Sequence, residues 1–182
     1  MRIGFDAKRA FNNTRGLGNY SRDTIRILTT QYPDNQYDLF TPAKRNDILF
    51  TLPDNSSVVL PGSFFGRTFP SFWRTFSLAK LAEKSNLDIY HGLSHELPLG
   101  IEKTRVKSVV TMHDLIFLKF PNLYPFIDRK LYKKKYLHSC GVANHIIATS
   151  EQTKRDLVEL ARIPEDKITV VYQGCNPVFN HE

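Results

Sequence analysis

The chain alternates between short apolar runs and longer segments in which apolar residues recur at helical spacing. Seven runs read as strands: Ile3-Gly4-Phe5-Asp6-Ala7, Tyr37-Asp38-Leu39-Phe40, Ser57-Val58-Val59-Leu60, Leu87-Asp88-Ile89-Tyr90-His91, Lys107-Ser108-Val109-Val110-Thr111-Met112, Ile146-Ile147-Ala148 and Ile168-Thr169-Val170-Val171. Most are rich in β-branched or aromatic residues and bounded by turn formers. Between them the spacing predicts helices over about 18–32 and 71–84, a basic helix that starts after Tyr124 with Pro125 in its first turn, and a helix over 152–161 capped by Ser150. Strands alternating with helices predict an α/β fold with a doubly wound, mostly parallel sheet of Rossmann-like type. Ligands of such sheets sit beyond the carboxyl ends of the strands. Four groups fall at those ends: the 16–18 glycine turn, His91, His113 with Asp114, and Ser150.

The first of these is the stretch Thr14-Arg15-Gly16-Leu17-Gly18-Asn19-Tyr20-Ser21-Arg22. Strand, glycine turn and helix in that order let backbone approach a ligand closely and offer an anion the unpaired N–H groups of a helix start. The spacing Gly-Leu-Gly also serves a plain turn.

The net charge of +7 points to anionic partners, or simply to a soluble surface. Nucleic acid is not expected, because no helix-turn-helix, zinc-finger or RNP-type pattern occurs. No segment reaches the roughly 18 apolar residues of a membrane span, and the N-terminus lacks a basic-then-apolar leader. Cys140 and Cys175 fit no metal-ligand spacing, and two isolated thiols suit a reducing cytoplasm. An aromatic block, Phe64, Phe65, Phe69, Phe72, Trp73 and Phe76, reads first as a helix packed on the sheet. Its sharper reading is a face for a hydrophobic acceptor or a membrane. The cluster Arg129, Lys130, Lys133, Lys134 and Lys135 adds positive charge to that second reading.

Four stretches, in order, resemble the N-terminal domain of retaining glycosyltransferases of the GT-B fold, family 4 type. They are Arg2-Ile3-Gly4-Phe5-Asp6 with Gly16-Leu17-Gly18-Asn19-Tyr20; Asp88-Ile89-Tyr90-His91 with Leu97-Pro98; Val109-Val110-Thr111-Met112-His113-Asp114-Leu115 with Phe120-Pro121; and the run from Thr149-Ser150-Glu151 through Gln173-Gly174-Cys175-Asn176. The second and third look most like the mannosyltransferase branch. The resemblance implies that residues 1–172 form the acceptor-side half of a two-domain enzyme, with 173–182 beginning the interdomain linker. The C-terminal nucleotide-sugar domain would then lie outside this chain, and the fragment alone would be inactive. It further implies transfer of a sugar, mannose by that branch, from a nucleotide-diphosphate donor to a glycan or lipid-linked acceptor with retained configuration. Such a role belongs to polysaccharide biosynthesis in the cytoplasm or at the cytoplasmic face of a membrane, with contact to anionic lipid as a further expectation.

By the same resemblance Gly16, Leu17, Gly18 and Asn19 would face the donor diphosphate, and His113 would touch the donor sugar or its leaving phosphate. Asp114 would orient His113 or cap the next turn. His91 and His95 would be acceptor-side groups or plain loop side chains, and Ser150 a helix cap that also lines the cleft. No metal or other cofactor is expected. A Ser94, His113, Asp114 triad can be assembled, but no Gly-x-Ser-x-Gly elbow supports it. Outside the resemblance, the composition also fits a stand-alone α/β domain for an anionic small molecule, or a membrane-surface interaction module.

Overall fold

The structure, a computed structural model, describes residues 1–45 and 50–174. Cys175 and most of the expected 173–182 linker lie outside the described residues. Strands β1 (Arg2–Asp6), β2 (Gln36–Phe40), β3 (Ser56–Val59), β4 (Ile89–Gly92), β5 (Lys107–Met112), β6 (His145–Ala148) and β7 (Ile168–Val170) form one sheet of order β3-β2-β1-β4-β5-β6-β7. Every pairing is parallel. The chain works outward from β1 to β3, then crosses back to lay β4 on the other side of β1. That reversal opens a crevice between the carboxyl ends of β1 and β4.

The crossovers between these parallel strands place the helices over two separate cores, one on each face. On one face, α1 (Lys8–Asn12) and α2 (Gly16–Gln31) cover a core that includes Phe5, Phe11, Ile25, Tyr37 and Leu93. On the other lie α3 (Phe64–Thr68), α4 (Pro70–Phe76), α5 (Leu78–Lys84), α6 (Ile116–Lys119), α7 (Phe126–Val142) and α8 (Glu151–Ala161). Their core is the larger one, built around Trp73, Leu78, Tyr90, Met112, Ile146 and Leu157. Burial on both faces explains why the inner strands read as apolar runs instead of alternations, while the edge strands β3 and β7 are only partly buried. Cys140 sits inside this core, where burial pushes its thiol up to about 12; it is packing, not chemistry.

Three expectations are corrected. The helix expected over 71–84 is α4 and α5, broken at Ser77, with the one-turn α3 before them. Pro70 requires the break at Phe69, because its ring cannot continue a helix begun upstream. The aromatic block is not a packed core: only Trp73 is buried, while Phe64, Phe65, Phe69, Phe72 and Phe76 remain exposed. Pro125 caps α7 from outside its first turn.

Candidate functional site

The carboxyl ends of β1, β4, β5 and β6 deliver their next residues to one place. His113, directly after β5, is pinned there from three sides. Its backbone N–H donates to His95 Nε2 at 3.0 Å. Its carbonyl accepts from Thr149 Oγ1 at 3.1 Å and from Thr153 Oγ1 at 2.9 Å. Its ring Nε2 lies 3.0 Å from the Leu93 carbonyl, and Tyr20 of α2 meets the ring edge-to-face at 4.6 Å between centroids. His95 adopts a left-handed backbone, φ 66°. Its N–H is held by the Thr111 carbonyl and its ring stacks on Tyr136 of α7. The 92–98 loop, β5, α2 and α7 thus share one wall of rings.

The acceptors fix the tautomers. A carbonyl can only accept, so Nε2 of His113 carries the proton and Nδ1 is bare. The bare nitrogen accepts from the Gln173 amide at 3.1 Å. His95 is the reverse: its Nε2 accepts, so its proton sits on Nδ1. His91 is enclosed between Phe5 and Thr111, whose hydroxyl it meets at 2.8 Å; Tyr20 reaches the same hydroxyl at 3.1 Å. His91 and His95 are both buried and are not solvated loop side chains.

Burial, and then the nearby His113 ring, push His91 down to about 4 and His95 down to about 3. His113 is lowered by burial, with the Leu93 carbonyl and Asp114 pulling the other way. All three are therefore neutral near pH 7. The linkage has a definite sign. Folded values below the usual ~6.5 mean that the unfolded chain binds protons first. The stabilisation is complete above that value and declines as pH falls, by roughly 1.4 kcal/mol per pH unit for each of His91 and His95 until its own folded value is reached. Urea midpoints followed from neutral pH into the acid range should drop accordingly, and removing either ring should roughly halve the slope. An unchanged midpoint would contradict the burial.

The stretch expected to be a glycine loop is instead the first turn of α2. Arg15 stands at the N-cap in an extended conformation and supplies no side-chain cap. The N–H groups of Gly18 and Asn19 both bond the Arg15 carbonyl, at 2.8 and 3.0 Å. Those of Gly16 and Leu17 have no protein acceptor among the described residues. They are the orphan donors at the positive end of a 16-residue helix. The two glycines differ. A Cβ on Gly18 would lie 1.8 Å from the Asn13 carbonyl oxygen, so Gly18 is required for packing. A Cβ on Gly16 would meet nothing within 4 Å. Asn19 Oδ1 accepts from Arg22, leaving its NH2 group directed elsewhere.

Asp114 accepts the Ile116 N–H at 3.2 Å and starts α6. The ring of His113 is held by Leu93 and Gln173. A Ser94, His113, Asp114 relay is not assembled. Ser150 caps α8, accepting from the Thr153 N–H at 3.1 Å. Its neighbour Thr153 reaches His113, which ties the cap to the site. Among the described residues no group of three His, Cys, Asp or Glu side chains is arranged to hold a metal ion.

Sequence reading missed a charged network behind this wall. Asp6, at the end of β1, is buried and accepts from Arg74 Nε at 3.1 Å. Nη2 of the same guanidinium, which also bonds Asp6, lies 3.3 Å from Glu96, and Glu96 pairs in turn with Lys135 of α7 at 3.2 Å. Burial works against the Arg74 charge, but Asp6 and Glu96 hold its pKa above the ordinary arginine value. Lys8, half-buried alongside, is lowered by desolvation and by Arg74. Tyr20, Thr111 and Gln173 were also missed. The one signal for Asp6 was a charged residue at the end of an otherwise apolar strand.

An open parallel sheet whose strand order reverses beside β1, with an uncapped helix start and a neutral histidine at the carboxyl ends of its strands, is a doubly wound α/β domain. The same fold occurs in solved structures of other proteins. One is the Anabaena protein HepE in complex with UDP and glucose, with TM-score 0.61 and 14% identity, covering 96% of this chain and 45% of that one. Another is the lipopolysaccharide outer core galactosyltransferase WaaB in its apo form, with TM-score 0.57 and 14% identity, covering 94% and 45%. Residues 15–179 match the family described as Glycosyltransferase Family 4, and the chain belongs to that family. A curated relative, the O-antigen chain mannosyltransferase B of Escherichia coli, is 32% identical over 89 residues, 48% of this chain and 22% of its own length. The chain therefore spans less than half the length of the structures it resembles. Its sheet is one Rossmann-like half of the GT-B architecture.

Proposed function

We propose that this domain is the acceptor-side half of a retaining glycosyltransferase that moves a sugar, mannose in the reading we favour, from a nucleotide-diphosphate donor to a glycan or lipid-linked acceptor. The observation that carries the reading is the pairing, on one wall, of two unpartnered helix-start N–H groups with a histidine whose bare nitrogen can only accept. As the glycosidic bond breaks, negative charge grows on the leaving diphosphate. The Gly16 and Leu17 N–H groups would meet that charge, and they need no reorganisation to do so. Neutral His113 is unsuited to a phosphate oxygen, since its one proton is committed to Leu93. It suits a hydroxyl of the donor sugar, which would donate to Nδ1 in place of Gln173. His95 and Tyr20 are positioning residues that hold this ring. The mannosyltransferase relative supports the sugar, and the UDP and glucose held by HepE support a nucleotide-sugar donor. Activity is expected of the two-domain protein and not of residues 1–182 alone.

The test is a screen of nucleotide-diphosphate sugars with the intact protein, read as nucleotide diphosphate release and by NMR of the product anomer. Gly16→Val is the informative variant. With nothing within 4 Å of the added Cβ, it should leave Tm unchanged. By crowding the place of the diphosphate it should raise the donor KM about tenfold, the loss of one hydrogen bond to a charged group. Release from no donor, or an inverted product, would refute the proposal; an unchanged KM would remove the diphosphate from this helix start.

A further inference from the structure

A groove outside the crevice runs along one flank of α2. Its helical wall is a single stripe: Asn19, Arg22, Asp23, Arg26, Thr29 and Thr30 recur three and four residues apart and so share one face. All six are polar. From Asn19 to Thr30 the stripe is about 16 Å long at the helical rise. The opposite wall is the segment 50–53, in which Phe50, Leu52 and Pro53 are apolar and Thr51 carries a hydroxyl. The space between the walls is about 410 Å³, inside the roughly 300–1,000 Å³ of small-molecule sites.

Both walls are fixed in place. Phe50 packs edge-to-face on Phe11 at 5.2 Å, which seats its segment on the smaller core. Asn55, just past the segment, donates from its amide to the Thr29 and Pro33 carbonyls at 3.2 Å each and ties that end to the end of α2. On the helix, the Arg22 guanidinium donates to the Ala10 and Asn13 carbonyls at 2.9 and 2.8 Å, and to Asn19 Oδ1. Thr29 returns its hydroxyl to the Ile25 and Arg26 carbonyls. Arg22 and Thr29 are therefore framework. What remains for a ligand is the Asn19 NH2 group, the half-exposed Arg26 paired with Asp23 at 3.5 Å, and the Thr30 and Thr51 hydroxyls. Neither hydroxyl, nor Asp23 Oδ2, has a hydrogen-bond partner among the described residues.

This chemistry selects the occupant. It disfavours an anion, because Asp23 stands in mid-stripe and Arg22 is committed to backbone carbonyls. A wholly apolar ligand would leave the stripe unpaired. A sugar chain has two kinds of surface: a rim of hydroxyls, each both donor and acceptor, and apolar C–H faces. A carboxylate beside a guanidinium suits two neighbouring hydroxyls, one donating and one accepting. Phe50, Leu52 and Pro53 suit the C–H faces. The near end of the groove, at Asn19, lies within one turn of the Gly16 and Leu17 N–H groups, so a chain lying in it leads toward the crevice.

We propose that this groove is an oligosaccharide-binding site that holds a neutral glycan along α2, apart from the crevice assigned to transfer. The choice of a glycan as occupant rests on the sugar-transfer reading; the site itself is read out by binding and needs no donor.

The test is titration of the intact protein with α-linked mannotriose in the absence of any nucleotide sugar, followed by calorimetry and by saturation-transfer NMR. The trisaccharide should bind at least about tenfold more tightly than methyl mannoside, because it fills more of the groove. Asp23→Ala combined with Arg26→Ala should weaken it at least about tenfold through lost hydrogen bonds to charged groups. An exposed pair contributes little to folding, so this variant should melt with the wild type. If it does not, Thr30→Val combined with Thr51→Val gives the second measurement and should weaken binding about tenfold. No binding, a trisaccharide held no more tightly than the monosaccharide, or variants that bind like wild type would each overturn the proposal. Trisaccharide binding without turnover of any donor would support the groove and refute sugar transfer; turnover without that binding would do the reverse.

Discussion

His113→Ala in the intact protein is expected, under the proposed sugar transfer, to lower kcat on the order of 10²–10³, the usual consequence of removing one placed polar stabiliser, with a smaller change in KM. Two further variants separate chemistry from packing. Asparagine puts its Oδ1 close to where Nδ1 lies, so His113→Asn keeps an acceptor toward the cleft and gives up the Leu93 bond. Glutamine reaches further, so His113→Gln keeps a donor toward Leu93 and gives up the acceptor. If the bare nitrogen receives a sugar hydroxyl, asparagine retains more activity than glutamine although glutamine retains more stability. The opposite ranking, or equal loss in both that follows Tm, would make His113 a packing residue. Wild-type kcat in the alanine variant would remove it from the site altogether.

Breaking the Arg74 and Asp6 pair is the largest stability effect we expect. The two side chains are 10% and 6% exposed, so either charge left alone stays in a poorly solvated place. Arg74→Met should cost about 3–5 kcal/mol, which for a domain of this size lowers the melting point by roughly 6–20 °C. Asp6→Leu should cost less, because Glu96 remains beside Arg74 at 3.3 Å. The double variant Asp6→Leu with Arg74→Met should recover most of the loss, since it removes both desolvated charges at once. Strictly additive losses in the single and double variants would show that the pair is not coupled.

The sheet was legible because a parallel strand buried on both faces leaves a compact apolar signature. All seven expected strands occur, displaced by no more than about two residues at either end, a usual margin for such boundaries. The five-residue α1 was not legible: it is too short to show a helical period. The aromatic block misled for a related reason. Its apolar spacing suits one helix laid on the sheet, but Phe69 with Pro70 and then Ser77 cut it into short pieces, of which only Trp73 turns inward among the aromatics.

At the site the strand ends were legible, and with them the positions of His91, His113 and Ser150. What His113 does could not be read from sequence. Its proton is placed by a carbonyl 20 residues away and its free nitrogen by an amide 60 residues away. The same holds for Asp6, whose partner Arg74 lies 68 residues on. Periodicity reports the neighbours along an element, and these contacts cross the fold.

The pairing of β1 has a consequence for how the chain comes together. On one edge β1 takes β2, about three dozen residues on, with Arg2 opposite Gln36. On the other it takes β4, with Ile3 opposite Ile89. The first loop closes early and the second late, since closing chain between distant residues costs more entropy and slows assembly. A nascent chain therefore passes through a stage in which β1, β2 and β3 can associate under α2 while the inner edge of β1 still offers a row of open N–H and C=O groups. That edge can pair with another nascent chain as readily as with β4. Synthesis of the next thirty or so residues, from the end of β3 to β4, is the interval in which the half-built sheet is most exposed to aggregation, and the arrival of β4 both ends that interval and forms the crevice between β1 and β4.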